Sequence, residues 1–198
     1  ATYFDDQVSP AEGTSSEEFY QIYHKFGYDQ AMSRASDSLS YVYRLDEKYW
    51  LMMLDSCMCE PVHETGGKLS EETTAWMKMQ LEEAKKQGVT VIPVSHHNLL
   101  DESTLYPEEC TIENTKEVTA LLEAYGVPVY LSGHLHLQRI KKHTSNLNTP
   151  GGYGIREIVT SPLPMAPCQY SILNWQADGS LSYHTKKVDI AGWAQRYG

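Results

Sequence analysis

Twice in this chain an amphipathic stretch closed by glycine runs into an apolar, β-branched segment, and twice that segment stops at histidine. In the first, Gly88 precedes Val89-Thr90-Val91-Ile92-Pro93-Val94, which ends in Ser95-His96-His97-Asn98. In the second, Gly126 precedes Val127-Pro128-Val129-Tyr130-Leu131-Ser132, which ends in Gly133-His134-Leu135-His136. Helix, strand, helix, strand in that order favours parallel pairing in one sheet. Parallel strands bring their carboxyl ends to one rim, where open α/β sheets bind ligands. His96, His134 and His136 are therefore expected on one edge, although they lie far apart in sequence.

Neutral imidazole is a common metal ligand, so histidines gathered at such a rim point to a metal centre. On an extended segment, His134 and His136 would project to the same side. Gly133 removes the side chain where the backbone must turn or approach a neighbour closely. Asp55 ends another apolar run, Tyr49 to Leu54, and is a candidate at the same rim; a cap on the following loop is the competing role. Cys57, Cys59, Cys110 and Cys168 are too few for a disulfide framework and read as ordinary thiols.

Before the first histidine strand, Ala1 to Gly13 reads as polar and irregular. Ser15 with Glu18 forms a capping box, and Phe19, Ile22, Tyr23 and Phe26 follow with helical spacing, read as a core-facing stripe. Leu39–Leu45 and Tyr49–Leu54 read as strands around a short Asp46-Glu47-Lys48 turn. Ser70 opens a helix with Thr73, Met77, Leu81 and Ala84 on one stripe, and Lys85 and Lys86 suit its last turn. Asn98 to Thr111 is a long connection of the kind that shapes ligand sites. Asn114 with Glu117 resembles a second capping box, and Val118, Leu121, Leu122 and Tyr125 form the buried stripe of that helix. After His136 the pattern turns to strands: Gln138–Lys142, Gly154–Val159, Cys168–Trp175 and Ser180–Val188. Asp178-Gly179 is a hairpin signal between the last two, and Ala191–Gly198 can begin a helix.

The length of 198 residues suits one domain, and 41% hydrophobic content is ordinary for a globular chain. The net charge of −10 leaves no basic footprint for a nucleic-acid polymer or an anionic membrane surface. No apolar run reaches the ~18 residues of a membrane span. An acidic protein that handles phosphate needs local positive charge, which bound cations would supply.

With Leu54-Asp55-Ser56, His96-His97-Asn98-Leu99-Leu100, Leu131 to Gln138 and Glu157-Ile158-Val159-Thr160-Ser161-Pro162-Leu163 in this order, the chain resembles the calcineurin-like metallophosphoesterases. It is most similar to bacterial members of the cyclic-nucleotide-phosphodiesterase type. The resemblance implies an α/β fold, part of a four-layer α-β-β-α sandwich with mixed sheets. It implies hydrolysis of phosphodiesters or phosphomonoesters, including 3′,5′-cyclic nucleotides, at a dinuclear centre of manganese, iron or zinc. By the same resemblance His96 and His134 are ligands of the second metal and His136 of the first. Asp55 matches no family ligand. His97 and Asn98 share the first histidine loop and are candidates for orienting ligands or substrate in the catalytic step.

The family's upstream Asp-x-His, Gly-Asp and Gly-Asn-His-Asp/Glu motifs have no counterpart here, and its catalytic histidine is expected upstream. The expectation is that residues 1–198 form a single domain, the C-terminal portion of such a catalytic domain, with little or no activity alone. Sheet edges left without neighbours would favour association, so a homodimer is also expected. Relatives of this type are often exported or attached to the cell envelope. Two other readings stay open. One is a mononuclear hydrolase of non-phosphate substrates that uses Asp55 with the three histidines. The other is a noncatalytic binding module that presents some of the 14 tyrosines and 4 tryptophans as an aromatic surface.

Overall fold

Reciprocal capping sets the first helix. The Ser15 hydroxyl accepts from the Glu18 amide, and the Glu18 carboxylate accepts from the Ser15 amide at 2.9 Å. The computed structural model describes residues 2–4, 7–9, 13–59, 64–102, 107–143, 154–176 and 178–197. Within them the order begins β1 (Thr2–Phe4), β2 (Gln7–Ser9), α1 (Ser16–Tyr23), β3 (Ser33–Arg34), β4 (Tyr41–Arg44), β5 (Tyr49–Met53), α2 (Glu71–Gln87) and β6 (Thr90–Val94). It continues α3 (Pro107–Cys110), α4 (Thr115–Ala124), β7 (Val129–Ser132), β8 (Arg139–Lys142), β9 (Arg156–Val159), β10 (Gln169–Trp175), β11 (Leu181–Lys187) and α5 (Ile190–Tyr197). The chain is thus a mixed α/β structure.

Seven of these strands form one sheet in the order β3-β4-β5-β6-β7-β9-β8. The β5–β6, β6–β7 and β7–β9 pairs are parallel, and the outer pairs are antiparallel. The crossovers are α2 and α4, each stopped where glycine enters the left-handed region, Gly88 at φ 68° and Gly126 at φ 70°. Strand alternation sends Trp50, Met52, Val91 and Tyr130 to one face. There they meet Trp76, Met77 and Leu81 of α2 and Val118 and Leu122 of α4. Burying each large apolar side chain contributes ~1.5–3 kcal/mol, and this layer holds most of the buried apolar residues. Ile92, Val129 and Ile158 project to the other face, where the β10–β11 hairpin covers them with Leu173, Trp175, Leu181 and Tyr183.

Pro93 lies inside the central strand β6, an unusual place because proline lacks an N–H for the ladder. The Val94 carbonyl accepts from Leu54 on the β5 side, and the Ser95 amide donates to Leu131 on the β7 side. Alternation therefore turns the Pro93 nitrogen toward β7. The β6–β7 ladder is correspondingly short, with Val94 opposite Leu131, while β5–β6 pairs over five positions.

Four local expectations are corrected. Residues 2–4 and 7–9 pair as an antiparallel ribbon where an irregular segment was expected. Asn114 makes no side-chain cap; its amide brackets Leu69 instead, accepting from the Leu69 amide at 3.2 Å and donating to the carbonyl at 2.9 Å. The α1 stripe is not core, because no residue of that helix is buried and Ile22 and Phe26 are 61% and 77% exposed. Residues 133–136 are not extended either. His134 and His136 have left-handed backbones, at φ 61° and 54°.

Candidate metal centre

Parallel pairing brings the first residues after β6 and β7 together. Beyond Val94 and Leu131, the Gly133 amide donates to the His96 carbonyl at 3.0 Å, so the ladder reaches into both histidine loops. Thr160 at the end of β9 joins the same rim, its amide donating to the Ser132 carbonyl at 2.8 Å.

The result is contact between His96 and His134, residues that sequence order keeps apart. His134 Nδ1 and His96 Nε2 are 2.9 Å apart, and the two rings are nearly perpendicular at 89°. At that distance one of the facing nitrogens donates a hydrogen bond to the other. Two nitrogens ~2.0–2.1 Å from a tetrahedral zinc lie ~3.3 Å apart, so the pair is a few tenths of an ångström closer than adjacent zinc ligands. Burial lowers the pKa of His96, and the neighbouring His134 and His136 add to that. Burial likewise lowers His134, helped by His97 and His136 and opposed by Glu109. Both shifts favour the neutral imidazole, which is the form that binds a cation.

His136 is exposed. Among the described residues, no group of three or more His, Cys, Asp or Glu side chains gathers closely enough to hold a metal. The rim therefore unites two of the three expected histidines. Asp55 gives its carboxylate to backbone amides, Oδ2 accepting from Leu39 at 3.3 Å and Oδ1 from Cys57 at 3.1 Å. It caps its loop, and the four-ligand site built on Asp55 is not assembled among the described residues.

His97 and Asn98 tie the first histidine loop to its neighbours. The His97 ring donates from Nε2 to the Thr65 carbonyl at 3.0 Å, which leaves Nδ1 to accept from the Ser56 hydroxyl at 2.8 Å. With both ring nitrogens engaged and the residue 4% exposed, no lone pair remains for a ligand. Its imidazole lies on Gly67, where a Cβ would fall 2.3 Å from the ring. Asn98 is fully buried, and its amide donates to the Ser132 hydroxyl at 2.9 Å and the Gly133 carbonyl at 3.2 Å, tying one histidine loop to the other.

Glu157 of β9 completes this support. It has no exposed surface, and its two oxygens accept from the Leu99 amide at 2.7 Å and the Leu100 amide at 2.6 Å. The Ser132 hydroxyl donates to it at 2.6 Å. Burial pushes its pKa up to about 7, opposed by these three donors. A lone carboxylate in the apolar run Glu157-Ile158-Val159 was the sequence signal for this role.

No family model and no curated protein matches the chain. Among solved structures it is similar in fold to a dimetal phosphatase from Danio rerio, with a TM-score of 0.55 and 14% identity. The match covers 74% of this chain and 56% of that one, so the chain spans little more than half the length of its structural neighbour. The shared fold is that of a phosphatase that works with two metals.

Proposed function

We propose that this chain carries part of the active site of a metal-dependent phosphoesterase. One observation carries the reading: His96 and His134 meet at 2.9 Å where two adjacent parallel strands end. The fold shared with a dimetal phosphatase supports the reaction class. The finer reading is a dinuclear manganese, iron or zinc centre with His136 on the neighbouring ion, and small phosphodiesters, cyclic nucleotides included, as substrates. Bound metal supplies a nucleophile from water at neutral pH and offsets charge developing on the phosphoryl oxygens. The chain's own residues present the ligands and fix their spacing. His96 and His134 offer neutral imidazole lone pairs, while Asn98, Ser132 and Glu157 hold the two loops in register.

The test is manganese or zinc titration by calorimetry on the chain and on His96→Ala and His134→Ala. Each variant is expected to weaken metal binding by at least tenfold, the range seen when support to a metal site is lost. Hydrolysis of bis(4-nitrophenyl) phosphate, where present, is expected to vanish with EDTA and return with metal. Unchanged metal affinity in both variants refutes the reading.

A further inference from the structure

The aromatic face of α1 has no place in the core, yet it has neighbours. A cleft of about 870 Å³ runs from Phe19, Tyr23 and Phe26, past Tyr28 and Tyr41, to His96. The rings form two groups, Phe19, Tyr23 and Phe26 in one and Tyr28 and Tyr41 in the other. Centroids of Phe19 and Tyr23 are 4.5 Å apart, those of Tyr23 and Phe26 6.2 Å, and those of Tyr28 and Tyr41 4.7 Å. The backbone is shaped to bring these rings in. Gly27 sits at φ +120°, and a Cβ there would come within 2.6 Å of the Tyr41 hydroxyl. The volume lies within the ~300–1,000 Å³ of small-molecule sites, which are mostly apolar with a few polar groups to fix orientation.

Charge narrows the occupant. Among the described residues, Asp37, Asp55 and Glu64 line the cleft against one ammonium, that of Lys68, which pairs with Glu113 at 3.1 Å. An anionic group would be repelled along most of this length, while a flat uncharged ring would find aromatic partners in either group of rings. The His96 end joins the paired imidazoles described above.

We propose that the cleft seats an uncharged aromatic arm of the phosphate ester, with the phosphoryl group at the His96–His134 end. The position of the phosphoryl group rests on the phosphoesterase reading; the aromatic seat rests on the rings. The cleft is thus the specificity-determining part of the site, favouring aryl-bearing esters over small alkyl ones.

Two probes separate the claims. The first is 2-naphthol, titrated by NMR without metal; the second is inorganic phosphate, titrated by calorimetry with Mn2+. The chain is expected to bind 2-naphthol. Tyr23→Ala with Phe26→Ala should weaken that binding about tenfold, equivalent to ~1.4 kcal/mol, and leave manganese-dependent phosphate binding unchanged. His134→Ala, outside both groups of rings, should do the converse. Phe26→Ala alone serves as a second variant, because this highly exposed ring supports no core packing. Absence of 2-naphthol binding, or binding that neither aromatic variant alters, overturns the proposal. Absence of manganese-dependent phosphate binding overturns the phosphoesterase reading and does not change what 2-naphthol reports on the seat.

Discussion

Gly67 is the residue on which the first histidine loop turns. The His97 ring occupies the space a side chain would need, and it is held there by Ser56 and Thr65. Gly67→Ala must push back a ring that cannot swing aside. We expect a loss of ~1–3 kcal/mol, the usual range for overpacking, read as a lower urea midpoint with unchanged slope. The sequence hid this arrangement because its parts come from three separate segments. His96-His97 reads as a pair of equivalent candidates, and only packing distinguishes the accessible ring from the one with both nitrogens engaged. The left-handed backbones of His134 and His136 were hidden for a similar reason. Histidine tolerates that region better than most residues, and spacing alone suggests an extended segment.

At the scale of elements, local signals were legible wherever local physics decides. The Ser15–Glu18 box, the Ser70 cap of α2, and the glycines that end α2 and α4 all form. Failures came where a distant partner outcompetes the local one. Asn114 prefers the Leu69 backbone to its own helix. The α1 periodicity identified an apolar face but not what that face would meet. The β9 contribution shows the same limit, since Glu157 acts on loops after two other strands. Its pKa of about 7 lies above the ordinary glutamate value of 4.5, so the folded protein holds this proton more tightly than the unfolded chain. Stability should therefore be highest below pH 4.5 from this group, fall as pH rises to about 7, and level off above it. The fall amounts to about 3 kcal/mol. Glu157→Gln should flatten that slope in urea denaturation between pH 4.5 and 8.

The whole molecule is a sheet with unequal covers. Two helices pack one face, and a two-stranded hairpin covers the other through a few side chains. Trp175 packs against Tyr49 in that thinner layer, with ring centroids 4.8 Å apart and the planes tilted by 44°. Trp175→Ala is expected to cost about 2 kcal/mol, less than the ~3–5 of a fully buried tryptophan, because the residue is half-buried. Thermal unfolding checks this, with faster amide exchange in β10 and β11 as the local sign. The parallel centre of the sheet was readable from the helix–strand alternation. The lateral order, with β9 inserted between β7 and β8, was not, because short strands without helical crossovers carry no order signal.

The amide of Gly133 bound to the carbonyl of His96 has a further consequence. Imidazole spacing here is inherited from strand alignment rather than set by loop sequence. Sliding one strand by a single residue would reverse every side chain and pull the two rings apart. The two strands, the loops as far as Asn98 and His134, and Glu157 of β9 thus form a portable unit. Grafted together onto another parallel sheet, they should carry the paired imidazoles with them, whereas transplanted loops alone should not.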